Sequence, residues 1–298
     1  MQDLAIEVSI MLRRSFLLTL CVMISMIILP VLAPAHGDKP DANVRPTPLP
    51  FEPTEELVYA GEFSKSVLHG IEIAEFHFTA AHAPVNQTTA NTAEAASAAN
   101  LVFKGDATAK GWFRKLFHID FHFQMESVVE PKTFSILRTT KRDEQGNHLR
   151  TSEAVFDRNL NLITWTERNP NEPASQLRIV KNPLDNAAHD FLSAIYYLRT
   201  RPLAPGQSLE LVLSDSGQVF RIPVKVIERK RMKTVLGKVQ TLRLEIELFG
   251  ADRLIQDRKG HMSLWLTDDA RRIPVRANLD TDDGALDIKL KKVVSAPK

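Results

Sequence analysis

The stretch TLRLEIEL at residues 241–248 decides the fold of this chain. Its leucine and isoleucine residues alternate one by one with arginine and glutamate. Successive side chains of a β-strand point to opposite faces of the sheet, so the alternation predicts a strand with one buried face and one face in water. Parallel sheets are covered on both faces and lose this alternation, so an antiparallel sheet is the expected architecture.

The same two-residue rhythm recurs along much of the chain downstream of residue 54. Clusters of glycine, asparagine and aspartate separate the runs, and such clusters form the tight turns of β-hairpins. The clearest further runs are 119–126, 220–226, 262–266 and 286–290. Between Ile71 and Phe78 the apolar phase switches, which predicts a bulge near Ala74 that helps to curve the sheet. We therefore expect a mainly β fold, either a curved antiparallel sheet or a half-open barrel.

One amphipathic helix is expected in the middle of the chain, from Asp185 through Arg199. Its apolar residues recur at steps of three and four and form a single stripe, namely Ala188, Phe191, Leu192, Ile195 and Leu198. Asp185 can cap the first turn, and Pro202 stops the helix. A lone helix with one apolar stripe is expected to cover the concave side of the sheet. A shorter amphipathic turn at 112–117 is expected to cover an edge of the sheet or the mouth of a barrel.

The N-terminal residues have the three zones of a secretion signal. The basic pair at 13–14 precedes an apolar run at 16–32, which ends at the small-residue sequence Ala-Pro-Ala at 33–35. Cleavage after Ala35 is the expected outcome. A retained membrane anchor is the alternative, because the run is almost long enough to span a bilayer. Either way, the leader predicts a protein that works outside the cytoplasm, in the periplasm or as a secreted protein.

Composition divides the chain into segments. Residues 1–35 are expected to be the signal peptide, residues 36–53 a proline-rich spacer, and residues 54–294 a single β-rich domain. Within the domain, residues 81–100 are rich in alanine, threonine, asparagine and serine and have no apolar period. This composition predicts a mobile insert.

Charge and cysteine usage narrow the range of functions. The 298 residues carry a formal net charge of +2 at pH 7, which is too balanced to predict binding to nucleic acid. Membrane contact is expected only through the leader, if it is retained. The single cysteine, Cys21, lies inside the leader, so the mature chain is expected to have no disulfide and no thiol nucleophile. No motif in the sequence predicts a cofactor.

Two segments of the chain resemble a known family. They are DFLSAIYYLR at residues 190–199 and WLTDDARRIPVR at residues 265–276, and residues 56–59 and 70–71 add to the match. Together they look like a family of exported bacterial proteins that is catalogued as a domain of unknown function. The resemblance spans about residues 52–294. It implies an exported β-rich domain and supplies no activity, ligand or catalytic residue.

Aromatic residues on and beside the central helix are candidates for lining an apolar pocket between helix and sheet. The candidates are Phe191, Tyr196, Tyr197 and Trp265. Packing in an ordinary core is their alternative role. A second candidate, a rim that binds an anion or a protein partner, consists of Arg271, Arg272 and Arg276. A plain hairpin turn is the alternative for this segment.

A third candidate uses histidine and aspartate at alternate positions of one strand. His118, Asp120 and His122 share one strand face, where imidazole and carboxylate groups can reach one metal ion and support a metal-dependent hydrolase. A wet strand face without a ligand is the alternative. The sequence as a whole favours a non-enzymatic envelope protein that binds a hydrophobic or lipid-like molecule in a groove between sheet and helix. A structural or interaction module that docks another envelope protein is the alternative function.

Overall fold

The computed structural model describes residues 49–66, 68–83, 99–111, 120–172 and 176–294. The predicted leader at 1–35, the amphipathic turn at 112–117 and His118 lie outside these residues. The strands are β1 (Glu56–Lys65), β2 (Leu68–His82), β3 (Leu101–Ala109), β4 (Phe121–Glu130), β5 (Ser135–Gln145), β6 (His148–Asp157), β7 (Leu162–Arg168), β8 (Arg178–Pro183), β9 (Ala188–His189), β10 (Ser208–Asp215), β11 (Gln218–Thr234), β12 (Gly237–Ile246), β13 (Gly260–Thr267), β14 (Pro274–Thr281) and β15 (Gly284–Val294). Helix α1 (Phe191–Thr200) lies between β9 and β10.

All fifteen strands belong to one sheet. Its order is β8-β7-β6-β5-β4-β3-β2-β1-β15-β14-β13-β12-β11-β10-β9. Neighbouring strands are antiparallel, apart from a short parallel pairing of β9 with β10. Each half of the sheet is therefore a meander of hairpins, and the two halves join where β1 pairs with β15. The prediction of a mainly β, antiparallel fold is confirmed.

The sheet is open, but its two ends meet through side chains. In β8, the Asn182 side-chain amide donates a 2.6 Å hydrogen bond to the carbonyl oxygen of Gly217, in the turn between β10 and β11. Lys141 of β5 forms an ion pair with Asp215 of β10. An apolar cluster that includes Trp165 joins strands β5 to β7 with β9 and β10. The sheet thus curls far enough for its outer strands to touch without a backbone ladder between them.

A bulge in β2 contributes to this curvature. Gly61 of β1 pairs with Ala74, and the next residue, Glu62, pairs with Glu72, so Ile73 has no partner in the ladder. The bulge that the phase switch predicted near Ala74 is confirmed. Bulges increase the local twist of a strand and bend it, which a sheet of this width needs in order to curl.

The packed domain has slightly different boundaries from those expected. Phe51, at the end of the predicted spacer 36–53, is 5% exposed and belongs to the core. Strand β2 continues to His82, so the first residues of the predicted insert 81–100 are part of the sheet. Residues 84–98, which make up most of that insert, lie outside the described part of the chain.

The predicted start of the helix at Asp185 was wrong. The helix begins at Phe191, and Asp190 is its N-cap. The Asp190 carboxylate accepts a 2.7 Å hydrogen bond from the backbone N–H of Ser193, and the Ser193 hydroxyl accepts one from the backbone N–H of Asp190. This reciprocal capping box satisfies two backbone donors at once and fixes the start of the helix.

The end of the helix agrees with the sequence. Helix α1 ends at Thr200, two residues before Pro202, which cannot continue a helix. It covers the concave face of the curled sheet and contacts β3, β4, β9 and β10. Among the described residues, no helix has the length and apolar character needed to cross a bilayer.

Candidate functional site

The N-terminal end of α1 is fixed by a buried carboxylate. Asp190 is 1% exposed, and its Oδ2 atom accepts hydrogen bonds of 2.5 Å from the hydroxyls of Ser127 and Thr139. These hydroxyls come from directly opposed positions of β4 and β5. Because each oxygen of Asp190 has a donor, the buried charge is satisfied, and the helix start is tied to the first half of the sheet.

The C-terminal end of α1 is fixed by a buried ion pair. Arg199 is 2% exposed and lies against Glu55, with Nη1 and Oε1 2.6 Å apart and Nη2 and Oε2 3.1 Å apart. The same guanidinium donates to the carbonyl oxygens of Arg271 and Pro50. The guanidinium carbon Cζ also lies 5.2 Å from the ring centres of Phe51 and Tyr196. This end of the helix is therefore tied to the segment before β1 and to the turn between β13 and β14.

An aromatic layer packs under the helix between these two anchors. Tyr196 stacks on Phe103 with ring centres 4.0 Å apart and an angle of 8° between the rings. Phe51 meets both rings edge-on at 5.0 and 5.6 Å. Gly105, two residues after Phe103 on the same face, leaves room for the Phe78 ring, because a Cβ atom there would lie 3.2 Å from that side chain.

An apolar cavity of about 130 Å³ lies between α1 and the concave face of the sheet. Its wall is almost entirely carbon, and the contributing strands come from both halves of the sheet. Representative lining residues are Phe123, Phe191, Ile195, Tyr196, Leu264 and Ala277. A cavity with a wall of this kind can hold an apolar group.

Two tyrosine hydroxyls lie near this apolar region. Burial raises the pKa of both Tyr59 and Tyr196, so both stay neutral. Tyr59 donates a 2.7 Å hydrogen bond to the carbonyl oxygen of Pro274. The Tyr196 hydroxyl is buried and has no hydrogen-bond partner among the described residues. Because an unsatisfied buried hydroxyl is unfavourable, Tyr196 can donate to a ligand that brings an acceptor.

The aromatic candidates occupy different places. Phe191 and Tyr196 line the cavity, as expected of ligand-lining residues. Tyr197 instead stacks on the imidazole of His189 at 4.4 Å, and Trp265 lies 4.9 Å under the guanidinium of Arg276. Neither of these two residues is among those that line the cavity.

The three candidate arginines each have a different carboxylate partner. Arg271 is 3.7 Å from Glu55, Arg272 is 3.9 Å from Asp268, and Arg276 binds Asp287 through two hydrogen bonds of 2.6 and 2.9 Å. The backbone N–H groups of the first two also donate to Asp269, as expected for a hairpin turn. The rim therefore carries its own counter-charges, and its use for an anion or a partner stays a prediction.

The candidate metal residues are only partly described. His122 Nε2 is 2.8 Å from Asp106 of β3. Asp120 directly precedes β4. Within the described ranges, no three histidine, cysteine or acidic side chains come together in a geometry that could hold an ion. His118 falls outside those ranges, so the predicted set of three cannot be assembled from the described residues.

A larger concavity of about 680 Å³ lies on the outer face of strands β3 to β7. Two of its charged residues pair directly, Lys104 with Glu126, and the neighbouring Arg138 lies 3.9 Å from both Glu126 and Glu153. The surface is therefore an ordinary solvated sheet face. The cavity under α1 is the better candidate for a ligand.

The sequence analysis did not predict the residues that anchor the helix. The sequence positions of Arg199 and Glu55 nevertheless indicate that both side chains face the core. Arg199 follows Ile195 by four positions and so lies on the apolar stripe of the helix. Glu55 has the same strand parity as Leu57, which faces the core. A charge at an inward-facing position is rare without a partner and therefore indicates a buried pair.

The fold and the site define a class of protein: a curled antiparallel sheet with a helix on its concave face and an apolar cavity beneath that helix. The chain belongs to the family described as Protein of unknown function (DUF3108), whose family model matches residues 72–291. No curated protein matches the chain.

One solved structure supports the fold. The chain is similar to a beta-barrel-like protein of the domain of unknown function DUF1849 from Brucella abortus, with 10% sequence identity and a TM-score of 0.52. The match covers 82% of this chain and 98% of the Brucella chain. The hypothetical protein CT021 from Chlamydia trachomatis aligns at 10% identity and a TM-score of 0.30, over 83% of this chain and 89% of that one. At these identities, the Brucella match supports the fold alone.

Proposed function

We propose that this protein works outside the cytoplasm as a non-enzymatic binding protein for an apolar or lipid-like ligand. The observation that carries the proposal is the apolar cavity of about 130 Å³ between α1 and the sheet. The basic pair, apolar run and Ala-Pro-Ala sequence of residues 13–35 support export. The periplasm or the medium is the proposed location.

The volume of the cavity limits what it holds. Engineered apolar cavities of roughly 150 Å³ stay dry and bind benzene. The cavity therefore accommodates one group of about that size, such as a small ring or the end of an acyl chain. Tyr196, whose hydroxyl has no partner among the described residues, would favour a ligand with a hydrogen-bond acceptor next to its apolar part.

Benzene is a suitable probe, because a ligand that binds only the folded state raises the melting temperature. We expect benzene to raise the melting temperature of the wild-type protein. Ala277→Phe should abolish the effect, because Ala277 lines the cavity and a phenyl ring there fills it. Ala285→Phe is the matched control, since Ala285 lies on β15 at a position that does not line the cavity. If all three proteins respond alike, benzene does not bind in the cavity.

The natural ligand is sought by native mass spectrometry and organic extraction of the protein isolated from its exporting host. We expect an apolar molecule to be recovered with the wild type and with Ala285→Phe, and to be lost with Ala277→Phe. A wild-type protein that carries no apolar molecule and does not respond to benzene would contradict the proposed function.

A further inference from the structure

Strands β11 and β12 extend beyond the rest of the sheet as a two-stranded ribbon. Their pairing continues to the turn that follows Thr234. Strand β12, however, pairs with β13 only from Thr241 onward, and β10 reaches only as far as Lys225 of β11. In the described part of the chain, residues 229–240 therefore have no third strand beside them. We call residues 229–240 the ribbon.

The ribbon has five basic residues and no acidic one. They are Arg229, Lys230, Arg231, Lys233 and Lys238. Since the whole chain carries a net charge of +2, these five charges leave the remainder of the chain at −3. Arg229 pairs with Asp268, whereas the other four have no carboxylate partner among the described residues. The ribbon is thus a concentrated positive charge on an otherwise slightly acidic protein.

Some of these charges face each other across the ribbon. Lys233 lies directly opposite Lys238, and Arg231, two positions away on the same face, lies opposite Gln240. Like charges at directly opposed positions destabilise a strand pair. An anionic surface against this face would neutralise the repulsion. The strand pair of the ribbon should therefore be more stable when bound to such a surface than when free in water.

The tip of the ribbon is apolar. Val235 is 54% exposed and Leu236 is 36% exposed at the turn. Behind them, Met232 and Val239 form a cross-strand pair on the face opposite the two lysines. Apolar side chains projecting beyond a ring of cations are typical of surfaces that bind anionic lipid, because the apolar groups reach the acyl boundary while the cations stay among the headgroups.

The ribbon projects from the end of the domain at which the described chain begins. The backbone N–H of Asp268 donates to the carbonyl oxygen of Gln240 at the base of the ribbon. In the same turn, Arg271 is 3.7 Å from Glu55. Residues 49–55 follow the apolar run at 16–32 in the sequence. The ribbon and the segment that leads from the leader thus share one end of the fold.

We propose that the ribbon docks the protein on an anionic phospholipid surface, with Val235 and Leu236 at the acyl boundary and the four unpaired cations at the phosphates. The sequence alone led us to expect membrane contact only through the leader, and the ribbon adds a second contact. This surface is separate from the cavity under α1 and does not depend on the proposed ligand.

The variant Lys233→Glu tests the docking surface without weakening the fold. It converts the opposed lysines into a glutamate–lysine pair, so the melting temperature should stay the same or rise. The measurement is partition of the full chain onto phosphatidylcholine vesicles with and without phosphatidylglycerol. We expect the variant's partition onto vesicles with phosphatidylglycerol to fall on the order of tenfold at low salt, since the change reverses one charge near the surface.

Lys181→Glu is the control. Lys181 is exposed on β8, opposite Thr164, and has no carboxylate partner among the described residues. Its neighbour Asn182 contacts Gly217, in the turn at the other end of β11 from the ribbon. The same charge reversal there should leave vesicle partition unchanged.

A second readout distinguishes docking of the ribbon from any contact made by the leader. Acetylation of lysines, followed by mass spectrometry, reports each site separately. Vesicles with phosphatidylglycerol should protect Lys230, Lys233 and Lys238 but leave Lys181 reactive. The proposal is overturned if these lysines stay reactive on such vesicles, or if Lys233→Glu partitions like the wild type. The second result is expected if the lysines serve only to keep the ribbon edges from pairing with other strands.

Discussion

The two ends of α1 hold a buried charge in two different ways. At the N-terminal end, Asp190 is surrounded by neutral donors, two hydroxyls and a backbone N–H. At the C-terminal end, Arg199 faces a full counter-charge on Glu55. Loss of one neutral donor leaves the others in place, whereas loss of one member of an ion pair leaves an unpaired charge in the core. A single substitution should therefore destabilise the C-terminal anchor strongly, whereas the N-terminal anchor should lose stability in smaller steps.

The largest effect is expected from Arg199→Met, which removes the buried cation and leaves Glu55 in the core with only the half-exposed Arg271 nearby, 3.7 Å away. Breaking a buried ion pair in this way typically costs about 3–5 kcal/mol of unfolding free energy, which urea denaturation can measure. Adding Glu55→Gln to this variant should recover part of the loss, because no unpaired charge then remains. A loss below about 1 kcal/mol in the single variant would show that the pair is not buried as described.

A smaller effect is expected from Asp190→Ala. The change removes the helix cap and leaves the hydroxyls of Ser127 and Thr139 without their acceptor, which together should cost about 2–3 kcal/mol. Asp190→Asn keeps an acceptor for the cap and should cost less. Equal losses for alanine and asparagine in urea denaturation would contradict the role of the cap.

His189, next to the N-cap of α1, should make the stability of the protein depend on pH. Burial lowers the pKa of His189 to about 4, although the neighbouring Asp190 carboxylate raises it, and Arg158 lowers it further. The unfolded chain therefore binds a proton near pH 6.5, and the folded protein does not. Between pH 6.5 and about 4, stability must fall as the pH falls, by about 2 kcal/mol at pH 5 for this one group.

His189→Phe isolates that contribution, because it keeps a ring against Tyr197, which lies 4.4 Å from the imidazole. Urea denaturation at a series of pH values should give a shallower acid slope for the variant than for the wild type. The carboxylates contribute to both proteins and cancel in the difference. Identical slopes would mean that His189 titrates normally in the folded protein.

The smallest effect is expected from Asp185→Ala, at the residue that the sequence suggested as the cap. Asp185 accepts a 3.0 Å hydrogen bond from the N–H of Ala187 and pairs with the exposed Arg221. Surface ion pairs contribute little, so a loss of less than about 1 kcal/mol is expected. A loss as large as that of Asp190→Ala would contradict the assignment of Asp190, rather than Asp185, as the cap of the helix.

Much of the fold could be predicted from the sequence, because alternation and turn chemistry are local. The bulge near Ala74 and the end of the helix before Pro202 follow from a few neighbouring residues. The start of the helix could not be predicted in this way, because Asp185 precedes the apolar stripe, Asp190 lies within it, and both can accept a backbone N–H. The capping box with Ser193 and the tertiary contacts with Ser127 and Thr139 distinguish Asp190.

The candidate site was less predictable for a physical reason. Arg199 and Glu55 are 144 positions apart, so no local pattern links them, even though each is a charge at an inward-facing position. The cavity depends on space that side chains leave unfilled, which a sequence does not display. Phe191 and Tyr196 could be named as lining residues because they belong to a helix with a clear apolar side. Tyr197 and Trp265 are aromatic as well but lie outside the cavity wall.

The side-chain contacts between the ends of the sheet have a mechanical consequence. Within the sheet, neighbouring strands can separate only by breaking a cooperative row of backbone hydrogen bonds. Along the line marked by Asn182 with Gly217 and by Lys141 with Asp215, separate contacts can break one at a time. The domain is therefore an open, curled sheet rather than a closed barrel. Its diameter can change where the two outer edges meet, while every strand keeps its hydrogen-bonded neighbours.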